Sequence, residues 1–266
     1  MEVLKNKLIT FLNLLFKYNI FIFLVYINIS LLFLYKTSTV NLNGLKILLA
    51  NIFLIISTYI LNKISDEEED KKNNYYFQIK HKQIIFISVT FYILSFLIYL
   101  KEQNKVLLIF WILFFFLIIF YSFPKTYRLK KIFLIKNLIP SFCWFFSITI
   151  IILNQNNLSL IESIKITYPI FFLSLLIEIL WDMPDIQGDK KENIKTIPVY
   201  LGFRNTKILL FLFILLIFFY INTPLIKLIC LLLLLFIINI SKSTKKITYH
   251  CFIFILTIII STSYLI

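Results

Sequence analysis

Glycine, cysteine and long polar stretches are all scarce in this chain of 266 residues. The longest polar runs lie near 62–83 and 182–206, too short for a separate soluble domain, so residues 1–266 are expected to form one domain. The three cysteines, Cys143, Cys230 and Cys251, fall in apolar runs and read as small buried hydrophobes. Their spacing suggests neither a metal site nor a disulfide framework. The two histidines, His81 and His250, open apolar runs and read as interfacial residues. Lys17 interrupts the first apolar region and no small-residue cleavage site follows Ile20–Tyr35, so a signal peptide is not expected. Residues 1–16 are expected to lie along a membrane surface. Of the three glycines, two, Gly188 and Gly202, sit within one polar stretch together with Pro184 and Pro198.

What is abundant is apolar surface. The hydrophobic fraction is 60% and the mean hydropathy +0.90, more than a soluble domain needs, so the chain reads as a multi-pass membrane protein. Nine apolar runs can be drawn, at 18–35, 45–61, 84–100, 106–122, 137–153, 166–181, 208–222, 225–240 and 249–266. They are continuous rather than alternating, which predicts nine transmembrane α-helices and excludes a barrel. The formal charge of +14 would suggest nucleic acid in a soluble chain. Here no nucleic-acid partner is expected, and the excess fits loops that face anionic lipid headgroups. On the nine-helix scheme, 21 of the 27 Lys and Arg residues fall on the side of the N-terminus and six on the other. The positive-inside rule then places the N-terminus in the cytoplasm. Tyr75, Tyr76 and Tyr127 read as interfacial anchors.

All the acids but Glu102 and Glu162 fall on the cytoplasmic side. After the second apolar run, Thr58, Asn62, Asp66 and Asp70 stand four residues apart, on one face if the helix continues. After the sixth, Glu178, Asp182, Asp185 and Asp189 are spaced four, three and four apart, again one face. Like charges so placed repel, and a divalent cation would turn the repulsion into coordination. A basic loop, Tyr121-Ser-Phe-Pro-Lys125-Thr-Tyr-Arg128-Leu-Lys130-Lys131, follows the fourth run and could hold an anion. Two carboxylate rows suit Mg²⁺, a hard ion that commonly bridges carboxylates to substrate phosphates. Cation and basic side chains together would make diphosphate a better leaving group, while a lipid tail stays in the apolar interior. Some of the 30 phenylalanines, 15 tyrosines and three tryptophans could line a path for such a tail.

In this order the motifs resemble those of the UbiA-type intramembrane prenyltransferase family. The first, Asn62…Asp66…Asp70, is similar to that family's N-D-x-x-D-x-x-x-D. The second, Asp182-Met-Pro-Asp185-Ile-Gln-Gly188-Asp189 followed by Thr196-Ile-Pro198-Val-Tyr-Leu-Gly202, is similar to D-x-x-D-x-x-G-D and T-L-P-V-x-L-G. Tyr121…Lys125 matches a Y-x-x-x-K element, with Arg128 and Lys130 after it. The resemblance covers nearly the whole chain and implies a nine-helix UbiA-type bundle with its active site toward the cytoplasm of a cell membrane. It implies Mg²⁺ held by Asn62, Asp66, Asp70, Asp182, Asp185 and Asp189, with Asp66, Asp70, Asp185 and Asp189 catalytic. Asn62, Tyr121, Lys125, Arg128 and Lys130 would bind the diphosphate of a polyprenyl donor. An aromatic or lipid-alcohol acceptor would attack the allylic cation. The second motif looks more like the homogentisate, chlorophyll and ether-lipid branches than the 4-hydroxybenzoate branch.

Three positions depart from the family pattern. Lys63 stands where an Asp is usual, so that ligand is missing or Glu67 or Glu69 replaces it. Asn73-Asn74 stands in place of Asn-Lys-Pro. Asn193 takes a common Gly position, and Asn tolerates left-handed backbone better than most residues. Two other readings compete. A CDP-alcohol phosphotransferase needs a D-G-x-x-A-R signature, and this chain has no Asp-Gly pair. A divalent-cation transporter, or a non-catalytic membrane protein, would be expected to place ligands near the membrane midplane on broken helices, whereas nearly all acids here sit at helix ends.

Overall fold

The computed structural model describes residues 42–67, 81–102, 105–122, 128–156, 158–221, 224–244, 248–249, 251–253 and 255–256. Among them are eight α-helices, two short 3-10 turns and no strand. The helices are α1 (Leu42–Ser65), α2 (His81–Lys101), α3 (Lys105–Ser122), α4 (Ile135–Asn156), α5 (Leu160–Asp182), α6 (Ile186–Lys191), α7 (Ile197–Tyr220) and α8 (Pro224–Asn239). The 3-10 turns are Leu129–Lys131, before α4, and Met183–Asp185, between α5 and α6. Seven of the nine expected apolar runs are helices here; the run 18–35 and most of 249–266 lie outside the described residues, as do residues 1–16. The helical segments Leu42–Asn62, Ile135–Asn154, Leu160–Lys191 and Ile197–Tyr220 are long and apolar enough to cross a membrane. Ile85–Lys101, Lys105–Tyr121 and Ile226–Asn239 are apolar but shorter.

The buried apolar residues form two clusters. One joins α1 to α4 through Ile47, Leu54, Tyr99, Trp111 and Ile148. The other joins α5, α7 and α8 through Leu176, Leu180, Ile214 and Leu233. Trp144 of α4 packs against both. Lipid supplies no hydrophobic drive between helices, so packing and hydrogen bonds must hold them. With one alanine and three glycines in the chain, close approach falls to serine. Ser57 of α1 and Ser88 of α2 are fully buried, and each hydroxyl lies 3.0 Å from the other residue's carbonyl oxygen. Asn51 ties three helices, since its amide donates to the Ser147 carbonyl at 3.0 Å and its oxygen accepts from the Tyr99 hydroxyl at 2.5 Å. Thr149 and Thr167 join α4 to α5 at 2.6 Å.

Local signals set the helix ends around the polar stretch. A capping box, with Ser159 and Glu162 each bonding the other's backbone N–H, starts α5 six residues before the expected run. Pro184 falls in the 3-10 turn, where its missing N–H costs little. The 3-10 turn separates α5 from α6, so Glu178 and Asp182 stand before it, Asp185 at its end and Asp189 after it. The Thr196–Gly202 stretch also opens a helix, at Ile197. Thr196 caps it by accepting from the Val199 N–H at 3.3 Å. Gly202 then breaks α7 at φ 76° and ψ 167°, and its carbonyl accepts from the Thr206 hydroxyl at 2.8 Å. That backbone region is essentially reserved for glycine.

No atom lies within 4 Å of where a Cβ at Gly202 would stand, so only the backbone resists substitution. Gly202→Ala is expected to cost about 1–3 kcal/mol, read as a lower thermal midpoint in detergent. An unchanged midpoint would mean that the bend is not fixed by the glycine.

Candidate active site

The first acidic row ends α1. The Asp66 N–H donates to the Asn62 carbonyl at 2.8 Å, so the chain stays helical for one more bond and keeps the two residues one turn apart. Ser65 donates its hydroxyl to the Asp66 carboxylate at 2.9 Å. Lys130, only 3% exposed, ion-pairs with the same carboxylate at 2.5 Å, and the Arg128 guanidinium donates to the Ser65 carbonyl at the helix C-terminus. Burial alone would raise the Asp66 carboxyl. The Lys130 ammonium, with help from Ser65 and Arg128, outweighs it and holds the group below its ordinary value.

The second row is assembled from two helices. Asp182 ends α5 and Asp189 lies in α6, and both are buried. Their carboxylates converge on the ammonium of Lys136, at 2.9 Å from Asp182 and 2.8 Å from Asp189. The next residue, Asn137, donates its amide to the other Asp182 oxygen at 2.7 Å. Asn193 helps to fix Asp189 from behind. At φ 57° it adopts the left-handed conformation that ends a helix in a Schellman turn. The Ile194 N–H reaches the Asp189 carbonyl at 2.9 Å and the Asn193 N–H reaches the Lys190 carbonyl at 3.3 Å. Asp185 is half-buried at the end of the 3-10 turn between the two helices.

One short segment joins both rows. Arg128 and Lys130 serve the first, and Lys136 and Asn137, on the first turn of α4, serve the second. Pro140 deprives the Lys136 carbonyl of its usual partner four residues on. The Tyr121 hydroxyl, from the end of α3, donates to that carbonyl at 3.2 Å. Tyr121 thus restores the missing bond and fixes the start of α4, while standing within electrostatic reach of Lys136, Glu178, Asp182 and Asp66. Glu178, one turn before Asp182, is within the same reach of Tyr59 on α1 and Cys143 on α4, so it faces the interior.

The structure thus places Asn62, Asp66, Tyr121, Arg128, Lys130, Asp182, Asp185 and Asp189 around the joined ends of α1, α3, α4, α5 and α6. Asp70 and Lys125 lie outside the described residues, as does the side chain of Lys63. Among the described residues no three Asp, Glu, His or Cys side chains cluster closely enough to hold a metal as they stand. Three of the six expected ligands instead meet lysines, Asp66 with Lys130 and Asp182 and Asp189 with Lys136. Their chemistry still suits a hard divalent cation, because Asp182 and Asp189 present oxygens to a single positive charge beside the Asn137 amide. Lys136 and Asn137 were missed in the sequence. Their signal was a Lys-Asn pair at the head of an apolar run, and Lys136 was counted only as one more cytoplasmic charge.

The UbiA prenyltransferase family model matches residues 20–250. No curated protein sequence matches the chain significantly. Similar solved structures include a UbiA homolog from Archaeoglobus fulgidus bound to DMAPP and Mg²⁺. It is 16% identical, with a TM-score of 0.64, over 94% of this chain and 98% of that one. An apo UbiA homolog from Aeropyrum pernix K1 is 13% identical, with a TM-score of 0.65, over 91% and 95%. A digeranylgeranylglyceryl phosphate synthase is 20% identical, with a TM-score of 0.62, over 97% of each chain.

The lowered Asp66 carboxyl sets a pH test. Its folded value lies below its unfolded value of about 3.9, so the stability it contributes is complete above that value and is lost as pH falls through the folded one. Asp66→Asn is expected to lower the thermal midpoint by about 2–4 °C at pH 7. The gap should close as pH drops below about 4. A gap constant from neutral to acid would show that the charge contributes nothing.

Proposed function

The chain belongs to the UbiA prenyltransferase family, and from that premise we propose that it transfers a prenyl group from a polyprenyl diphosphate to an aromatic or lipid-alcohol acceptor inside the membrane, with Mg²⁺ as cofactor. It is an integral membrane prenyltransferase with an all-helical fold among the described residues. The observation that carries the reading is the junction of two acidic helix ends on one basic segment, at the mouth of an apolar bundle. The whole chain, residues 1–266, is read as one multi-pass domain in the cell membrane. The lysine and arginine bias turns its active site toward the cytoplasm.

Asn62, Asp66 and Asp70 on one side, and Asp182, Asp185 and Asp189 on the other, would hold the cation. When bound, it supplies charge neutralisation for the diphosphate as that group leaves. Lys125, Arg128 and Lys130 would take the remaining negative charge, Arg128 by its planar fork and the lysines as point charges. Tyr121 would keep the start of α4 in register with them. The bond between the first prenyl carbon and the diphosphate oxygen breaks, and its electron pair leaves with the diphosphate. The acceptor then attacks the allylic cation and gives up a proton.

Within the family we assign the chain to the homogentisate, chlorophyll and ether-lipid group. Support comes from the spacing of Asp182, Asp185, Gly188 and Asp189 and from the Thr196–Gly202 stretch. A solved ether-lipid synthase, the digeranylgeranylglyceryl phosphate enzyme, shares the fold.

The test is diphosphate release in nanodiscs, with geranyl, farnesyl and geranylgeranyl diphosphate offered alongside aromatic and glycerophosphate acceptors. Release should require Mg²⁺ and stop with chelator. Asp66→Ala, Asp185→Ala and Asp189→Ala should each lower it on the order of 10²-fold or more while the protein still inserts. Wild-type rates in all three variants would remove the two-motif mechanism.

A further inference from the structure

We propose that Lys136 is a tethered cation that holds the second acidic motif in the resting protein and competes with the divalent cation for Asp182 and Asp189. The inference rests on the reading that this motif binds such a cation. Its consequence is coupling: the cation alone binds weakly, and cation with diphosphate binds well.

The geometry carries the argument. The Lys136 ammonium contacts carboxylates from two separate helices, at 2.9 and 2.8 Å, and is itself largely buried. A lysine that served only membrane topology would extend its charge to headgroups and water. Here the stem turns inward instead, to the point where the Asp182 and Asp189 oxygens meet. Asn137 gives a second, independent sign. It is 1% exposed, its amide nitrogen is bound to Asp182, and its oxygen Oδ1 has no hydrogen-bond partner among the described residues. A buried amide oxygen left unsatisfied is costly. Lys136 satisfies the two carboxylates and leaves that third oxygen unmatched, and a small cation with several oxygen ligands could use all three.

Lysine is suited to yielding the place. Its ammonium is a point charge on four rotatable carbons, not a fixed fork. A divalent cation has twice its charge, but alone it would have to displace a covalently anchored neighbour and leave that ammonium without a counter-ion. A diphosphate removes the second cost, because the displaced ammonium can move onto its oxygens. The two ligands therefore favour each other's binding, and the coupling is reciprocal.

The test is Mn²⁺ binding to the purified full chain in nanodiscs, by paramagnetic resonance, without and with inorganic pyrophosphate. Lys136→Met keeps the stem and loses the charge. It should bind Mn²⁺ alone roughly tenfold tighter or more and show less gain from pyrophosphate than wild type. Lys136→Arg should keep the weak affinity for Mn²⁺ alone. If Lys136→Met does not fold, Lys136→Met with Asp189→Asn removes one charge of each sign. It should then exceed Asp189→Asn alone by a similar factor. Unchanged or weaker Mn²⁺ binding in the methionine variant overturns the proposal. If Mg²⁺-dependent diphosphate release is intact in wild type, that result sinks this inference and leaves the function standing. Tighter Mn²⁺ binding in the variant with no diphosphate release from wild type does the reverse. No Mn²⁺ bound by either protein sinks both.

Discussion

Buried carboxylates at the ends of apolar helices must be neutralised, and the rest of the site follows from how this chain does it. Asp66, Asp182 and Asp189 each meet a lysine within 3 Å. Taking such charges out of water is expensive, and removing one partner of a buried pair leaves the other charge alone. All the lysine partners come from the segment 128–137. One loop and one helix start therefore balance acids that belong to two different apolar clusters. If the segment moved, both clusters would lose their compensation together. It thus joins the two halves electrostatically, alongside the packing of Trp144 and the Thr149–Thr167 bond.

The segment can hold that position because its backbone is pinned at several points. The 3-10 turn Leu129–Lys131 closes with bonds from Lys131 to Arg128 and from Ile132 to Leu129. Leu134, at φ 67°, reverses the chain into α4 in a conformation unusual for a residue of its kind. Pro140 then opens one bond in the first turns of α4, and Tyr121 closes it from another helix. A proline that would weaken an isolated helix here creates the acceptor that locks α3 to α4. The polar contacts deeper in the bundle, through Asn51, Ser57 and Thr149, act in the same way on α1, α2 and α5.

Much of this was legible in sequence because it rests on local rules. Continuous apolar runs mark helices regardless of partners, so seven runs fell where helices stand. Pro224 opens α8, at a helix start where its missing N–H is tolerated. Asn193 in a glycine position read as left-handed backbone and has φ 57°. The capping box at Ser159 and Glu162 was also local, and it was overlooked because the apolar run alone was used to start the helix. What sequence could not show depends on tertiary placement. Lys130 and Lys136 look identical as charges in a basic loop, yet each is buried against a different motif. Asp182 and Asp189 stand on either side of the turn at Pro184, and it is Lys136, from a third helix, that joins them.

That break bears on the chemistry. A straight helix would carry Asp182 and Asp189 about 10 Å apart along its axis, at 1.5 Å per residue, too far to share one small cation. The two carboxylates nevertheless both reach the Lys136 ammonium, at 2.9 and 2.8 Å. The lysine, reaching across from α4, gathers the two acids around one positive charge. The turn at Pro184 leaves Asp185 at its end, half-buried between the two helices. A lysine already in the site then keeps the arrangement intact when no other cation is there. The acids can stay gathered without repelling one another, and the bundle does not depend on bound metal to keep its two halves joined.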